Sequence, residues 1–323
     1  METIWLISQV IGAVVVVGLI ILKIYLISIK GICTSTVSLA GKITIVTGAN
    51  TGIGFYTALD FAKRNARVIL ACRDIVKGED AANKIIELTG NKNVVVMQCD
   101  LSKMKSVREF AAKINSKEPR LDILVNNAGM AGLPLTMTDE GFEVMWASNH
   151  FGHFLLTNLL LDLLKKSKPS RIVNVSSVAH TWSKGIDLDN MRAEKGEKHF
   201  SISGVYFASK LANILFTREL AERLKESDVT SYSVHPGIVS TEVWRNQRFQ
   251  RAFFVYMLKF FMKSPEEGAQ TTIYCSVSEE VEKDSGKYFM DCKEADNKSS
   301  ILSKDMGLAK KLWEKSEQLT GLA

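Results

Sequence analysis

The sequence is short of the residues that staple or punctuate a chain. Its 323 residues hold five cysteines, an odd number scattered at Cys33, Cys72, Cys99, Cys275 and Cys292, with no CxxC or Cys/His spacing among them. That excludes a disulfide framework and a zinc site, and fits reduced thiols in a cytosol-facing domain. Only five prolines occur, with no low-complexity stretch and no internal repeat, so nothing marks the boundary of a second domain. Long blocks of one charge are missing too: 41 basic residues lie interspersed with 35 acidic ones for a net charge of +6. A nucleic-acid partner is therefore not indicated, while attraction to an anionic membrane surface stays open. What is plentiful is apolar sequence, 46% of the chain, enough for the core of one large α/β domain plus an appendage.

The appendage is at the amino terminus. Residues 4–22 are apolar apart from Ser8 and Gln9, and more apolar sequence follows Lys23 as far as Ile29. At ~1.5 Å per residue such a helix crosses a hydrocarbon core of ~30 Å. The run exceeds a signal-peptide core, and only Glu2 precedes it as a charge, so an anchor over residues 1–30 is the reading taken over a cleaved signal. Lys23, Lys30 and Lys42 all lie on its carboxyl side, which the positive-inside tendency assigns to the cytosol. Residues 31–40 read as a linker and 41–323 as the catalytic domain.

Within that domain short β-branched runs alternate with segments of helical period. Strands are predicted at 43–47, 67–71, 94–98, 122–125, 171–175, 230–235 and 287–290. About seven strands separated by helices give a single-domain, doubly wound parallel sheet of the Rossmann type.

The first strand runs into Gly48-Ala49-Asn50-Thr51-Gly52-Ile53-Gly54 and a helix starting near Ile53. Glycines there let the backbone approach a pyrophosphate, which the helix amino end attracts through its unpaired N–H groups. The spacing, preceded by Thr47, matches TGxxxGIG rather than the commoner GxGxxG. After the second strand, Arg73 is placed to pair with a 2′-phosphate, and Asp74 to cap the next helix. NADP(H) is thus favoured, with NAD(H) the alternative. Asp100, followed by Leu101, comes just after the third strand, either to meet the adenine amino group or to cap the helix from Ser102 onward.

Tyr206 and Lys210 stand four apart on one helical face. An ammonium beside a phenol favours phenolate and would lower its pKa from ~10. The tyrosine could then exchange a proton with a carbonyl or alcohol oxygen while hydride moves. Ser177 ends a strand at the carboxyl edge of the sheet, with Ser176 its competitor for the substrate oxygen. Asn126-Asn127-Ala128-Gly129 closes the fourth strand, and Asn149 interrupts an apolar helix, where it implies a buried hydrogen-bonding task. His150 and His153 lack partners at ligand spacing and are given packing or surface roles, with no metal. Pro236 and Gly237 follow the sixth strand, with Thr241 beyond, placed to aim backbone and hydroxyl groups at a nicotinamide carboxamide.

Taken together and in this order, these motifs resemble the short-chain dehydrogenase/reductase superfamily over residues 41–290. Leu70-Ala-Cys-Arg-Asp74, Asn149-His-Phe-Gly-His-Phe154 and Ser209-Lys-Leu-Ala-Asn-Ile214 look like its membrane-anchored retinol dehydrogenases. The resemblance implies a tetrad: Tyr206 as acid/base, Ser177 as donor to the substrate oxygen, Lys210 tuning Tyr206 and gripping the nicotinamide ribose, and Asn149 holding a relay water. It also implies Arg73 as the 2′-phosphate contact, a retinol/retinal-like substrate, and a homodimer paired through the Tyr206 helix as an option. An endoplasmic-reticulum membrane with a cytosolic catalytic domain is the expected location. One departure is the 29-residue gap from Ser177 to Tyr206, longer than usual in the superfamily. Residues 241–265 interleave Trp244, Phe249, Phe253 and Phe254 with Arg245, Arg248 and Arg251. They read either as a bilayer-touching lid or as core-packing helices with a basic edge. A steroid, isoprenoid or fatty carbonyl reductase, and a scaffold that merely binds nucleotide, are the competing functions.

Overall fold

The structure, a computed structural model, describes residues 2–240 and 262–323. After helix α1 (Glu2–Ser28) come β1 (Ile43–Thr47), α2 (Gly52–Lys63), β2 (Arg67–Cys72), α3 (Ile75–Thr89), β3 (Val94–Gln98), α4 (Met104–Lys117) and β4 (Ile123–Asn126). The second half carries α5 (Val144–Trp146), α6 (Gly152–Lys166), β5 (Ser170–Val175), α7 (Ile202–Arg223), β6 (Val229–His235), α8 (Pro265–Val277), β7 (Tyr288–Met290), β8 (Lys293–Glu294) and α9 (Met306–Thr320). The sheet order is β3-β2-β1-β4-β5-β6-β7-β8, parallel throughout except for β8 against β7. The expected doubly wound sheet is there, with the order reversing at β1 and β4.

Period-two alternation explains why the strands read as apolar almost throughout. Ile45, Ile69, Leu124 and Ile172 face one helical layer, whereas their successors Val46, Leu70, Val125 and Val173 face the other. The first layer is α4, α6, α7 and α9; the second is α2, α3 and α8. Local signals set the ends. Asp74 accepts from Lys77 N at the start of α3, as expected, and α3 stops at Gly90 in the left-handed region, φ +72°. Ser264 and Glu267 form a reciprocal capping box before α8, with a proline in its first turn.

Five of the seven expected strands shift by one residue at one or both ends, and an eighth strand is added. Asp122 lies just outside β4 because its buried carboxylate accepts from Ile43 N at 2.9 Å and pairs with Arg120 and Lys42. The eighth strand is a two-residue return made through Asp291 and Cys292, at φ +52° and +54°. Asn-Gly or Asp-Gly would have signalled that turn; Asp-Cys does not.

Most of the described apolar side chains of α1 are exposed, and Trp5–Tyr25 is long and apolar enough to cross a membrane. Residues 31–40, read as a linker, are packed on the domain: Cys33 N donates to Gln270 Oε1 and Leu39 is buried.

Candidate active site

The site lies along the carboxyl edge of β1, β4, β5 and β6 and is built from four turns. In the loop after β1, Gly48 and Gly52 sit at φ +62° and +61°, where side chains are disfavoured. A β-carbon on Gly54 would come within 2.5 Å of Asn127 Nδ2 and of Gly48 O. Asn127 ties this loop to the end of β4 by donating to Thr47 O at 2.8 Å. Asn50, Thr51 and Ile53 complete the turn, and Thr51 makes no side-chain cap, so the first N–H groups of α2 are free to meet an anion. Beneath the loop, burial pushes the Cys72 thiol up to about 11, against backbone bonds from Ala49 and Asn50. The residues present therefore fit a dinucleotide: a side-chain-free cradle at a helix amino end.

Thr47 is the hinge of this half. Its Oγ1 accepts from Asn127 N and Ala128 N at 2.9 and 3.0 Å. His153 Nε2 also lies 2.9 Å from it, and His153 Nδ1 lies 3.3 Å from Asn149 O. A carbonyl only accepts, so Nδ1 carries the proton and Nε2 accepts from the Thr47 hydroxyl. Burial drives both His150 and His153 down to about 3, keeping them neutral. They are core hydrogen-bonding groups, His150 bonded to Ser316.

Arg73 is exposed after β2, and among the described residues no carboxylate pairs with it. Asp100 accepts from Ser102 N and Oγ at 3.0 and 2.7 Å, closing its own turn. It does not cap α4; Glu140 does, accepting from Met104 N and Lys105 N. A remote carboxylate of this kind leaves no local sequence signal. The Leu101 side chain is buried in the core, and its carbonyl lies against Gly152.

Asn149 sits in a π-helical turn, Ala147–Phe151, where Gly152 N reaches back five residues to Ala147 O. Such turns widen a helix and often accompany function. The Asn149 side chain is fully committed: Oδ1 accepts from Met130 N at 2.8 Å, and Nδ2 donates to Met130 O and Ser209 Oγ. A relay water would therefore fall to its backbone carbonyl rather than to its amide. Ser209 in turn donates to Tyr206 O, linking the π turn to the helix that carries the tyrosine.

Of the two serines after β5, Ser176 donates to Lys210 O at 2.6 Å and is buried. Ser177 is half-buried and faces the Tyr206 hydroxyl, with Oγ accepting from Ala179 N at 3.1 Å. Its own proton is left for an oxygen in the cleft. Two histidines that the sequence reading did not single out for this hold the serine turn. His180 accepts from Ser300 N at Nε2, so its Nδ1 donates to Ser177 O, and His235 Nδ1 accepts from Val178 N.

Lys210 is buried with Nζ donating to Val175 O at 3.2 Å and lying 5.8 Å from the Tyr206 ring centre. Burial drives it down to about 8. The Tyr206 phenol moves the other way: burial raises it above its usual value, and the Ser177 contact lowers it only in part. The expected depression by lysine is thus not found: burial is the dominant influence on the phenol, and Ser177 rather than Lys210 is the group that opposes it. Ala128 and Gly129 line the floor; a β-carbon on Gly129 would sit 3.3 Å from Lys210 Nζ. Pro236 and Gly237 follow β6, with Gly237 at φ +92° against the Lys263 side chain. Thr241, and nearly all of the segment read as a lid, fall outside the described residues.

Comparison with known proteins agrees with this geometry. The family model for short chain dehydrogenases matches residues 42–185 and 190–252. Human retinol dehydrogenase 11 is 50% identical over 293 residues, 91% of this chain and 90% of its own length. Mouse retinol dehydrogenase 13 is 46% identical over 314 residues, covering 96% and 92%. Among solved structures, an uncharacterized protein from Mycobacterium paratuberculosis superposes with a TM-score of 0.72 at 33% identity, covering 90% of this chain and 98% of its own. A Rossmann-like sheet, a TGxxxGIG cradle and a Ser, Tyr, Lys cluster at the carboxyl edge, matched over most of the domain, make this chain an oxidoreductase of the short-chain dehydrogenase/reductase family.

Proposed function

We propose that the protein interconverts a lipophilic alcohol and its aldehyde, retinol and retinal in type, with NADP(H) as cofactor. One observation carries the reading: the Tyr206 hydroxyl faces Ser177, with Lys210 one helical turn on, beside the glycine cradle. When bound, the cofactor supplies or accepts the hydride at the carbonyl carbon. Ser177, already accepting from Ala179 N, directs its proton to the substrate oxygen. Tyr206 delivers the proton that converts that oxygen to a hydroxyl. Its phenol, held above the usual value, is fully protonated at neutral pH and ready for the reductive direction. Lys210 orients the nicotinamide ribose, and the Asn149 carbonyl is the site for the relay water. The names of the similar proteins, retinol dehydrogenases at 43–50% identity, support the substrate class. A steroid, isoprenoid or fatty carbonyl would suit the same proton donor. Helix α1 is read as the anchor, in the endoplasmic reticulum with the catalytic domain in the cytosol.

Cofactor choice rests on Arg73, exposed and without a carboxylate partner among the described residues, where the adenosine ribose belongs. Losing a charge-assisted bidentate contact costs about 1.5–3 kcal/mol, so Arg73→Ala is expected to weaken NADPH binding roughly 10- to 100-fold and leave NADH almost unchanged. Steady-state rates on retinal, farnesal and a ketosteroid with each cofactor test the whole reading. NADPH-dependent turnover best on retinal supports it. Equal loss of both cofactors in the variant removes the Arg73 assignment, and NADPH binding without turnover on any carbonyl favours the scaffold.

A further inference from the structure

In a parallel sheet every strand starts at the edge opposite the active site. The first, β1, begins at Ile43, so a freely hanging segment before it would leave from that far edge. Residues 30–40 do not hang. Near β1 they are fixed to the end of α2, Leu39 N donating to Arg64 O and Arg64 Nη1 to Val37 O. They then climb α8 toward its amino end: Cys33 N bonds Gln270 Oε1 at 3.0 Å, and Lys30 pairs with Glu267 at 2.6 Å in the first turn. Gly31 packs so closely on the turn after β7 that a β-carbon would lie 2.1 Å from the Asp291 carbonyl. Asp291 itself pairs with Lys263, whose stem lies against Gly237. Eleven residues thus carry the chain back across the domain, and α1 departs beside the end of β6, where the site opens.

The same edge exposes apolar side chains that the interior does not use. Ile32 is 69% exposed, Trp182 after Ser177 62%, Ile238 after Gly237 60%, and Ile301 beside the Ser300–His180 contact 90%. Single exposed apolar residues are ordinary; four on segments tied to the same sheet edge, next to an apolar anchor, make a surface.

We infer that the docked segment from Lys30 to Leu39 is an orientation clamp that holds the mouth of the active site, through Ile32, Trp182, Ile238 and Ile301, against the lipid surface into which α1 inserts. The inference rests on α1 being an anchor. It supplies what an anchor alone does not, a fixed face toward the bilayer and a route for an apolar substrate that never enters water.

The full chain, reconstituted in phosphatidylcholine/phosphatidylserine vesicles, tests it with a photoreactive benzoylphenylalanine placed singly at Ile238, Ile301 or Leu88. Leu88, exposed near the carboxyl end of α3, marks the far edge. Flotation with the vesicles reports the anchor; lipid adducts read by mass report orientation. Adducts at 238 and 301 at least threefold above 88 are expected. Equal yields at all three positions in floating protein overturn the orientation while sparing the anchor, and protein that does not float overturns both. Gly31→Val, which cannot dock on Asp291, is expected to bring the 301 adduct down to the level at 88 without changing flotation or reduction of a water-soluble aldehyde. An unchanged 301 adduct in that variant would exclude the clamp.

Discussion

Tyr206→Phe is expected to lower carbonyl reduction by about 10²–10⁴-fold, the usual worth of a positioned general acid, while NADPH affinity stays within about twofold. The ring remains, so its contact with Phe207 and the packing of α7 are preserved. What disappears is one hydroxyl, and neither of its described polar neighbours can replace it. Ser177 points at the same place but ordinarily ionises far above the working pH; Lys210 is held away by Val175 O. Parallel titration of cofactor fluorescence and single-turnover reduction separates the two effects. A phenylalanine variant with near-normal turnover would remove Tyr206 from the chemistry.

Lys210→Met is expected to be both inactive and more stable. The ammonium is buried, no carboxylate among the described residues pairs with it, and burial drives it down to about 8 from 10.5. The depressed pKa corresponds to a folding cost of about 3 kcal/mol at neutral pH. The sign follows from proton counting. Between about pH 8 and 10.5 the unfolded chain holds a proton that the folded chain has released, so this cost is present below pH 8 and fades as the pH rises. Methionine keeps the volume, and Val175 O keeps a partner in Asn213 Nδ2. The ligand-free variant should therefore melt about 5 °C higher than the parent at pH 7, with the gap closing toward pH 10.5. Turnover should fall at least a hundredfold and cofactor affinity should fall with it, because the ribose loses its cation. Calorimetry across that pH range checks the stability half; a variant that melts lower at pH 7 would mean that the buried ammonium is better paired than Val175 O alone implies.

Both expectations bear on what a sequence can disclose. The sheet was readable because short apolar β-branched runs alternating with segments of helical period have few other uses, and the cradle because a side chain on Gly54 would collide with Asn127 and Gly48. The Tyr206/Lys210 pair was readable as spacing but not as electrostatics: whether lysine lowers a phenol depends on how dry both groups are. Ser176 and Ser177 are indistinguishable in sequence, since their roles part only when Lys210 O arrives from α7 to take one of them. The supports from His180, His235 and Glu140 join residues tens of positions apart, and the packed course of residues 30–40 depends on Glu267, Gln270 and Asp291 far along the chain. Asn149 was placed correctly as buried and hydrogen-bonded, but the π turn that holds it has no residue signature.

The most direct test of the function follows the hydride itself. Retinal is reduced by the vesicle-bound full chain with NADPH carrying deuterium at the transferable position of nicotinamide C4, and the alcohol is analysed by mass spectrometry. Deuterium on the carbinol carbon, formed by the wild-type chain and lost with Tyr206→Phe, is the expected result. NADPH binding with no labelled alcohol from any carbonyl offered would contradict it.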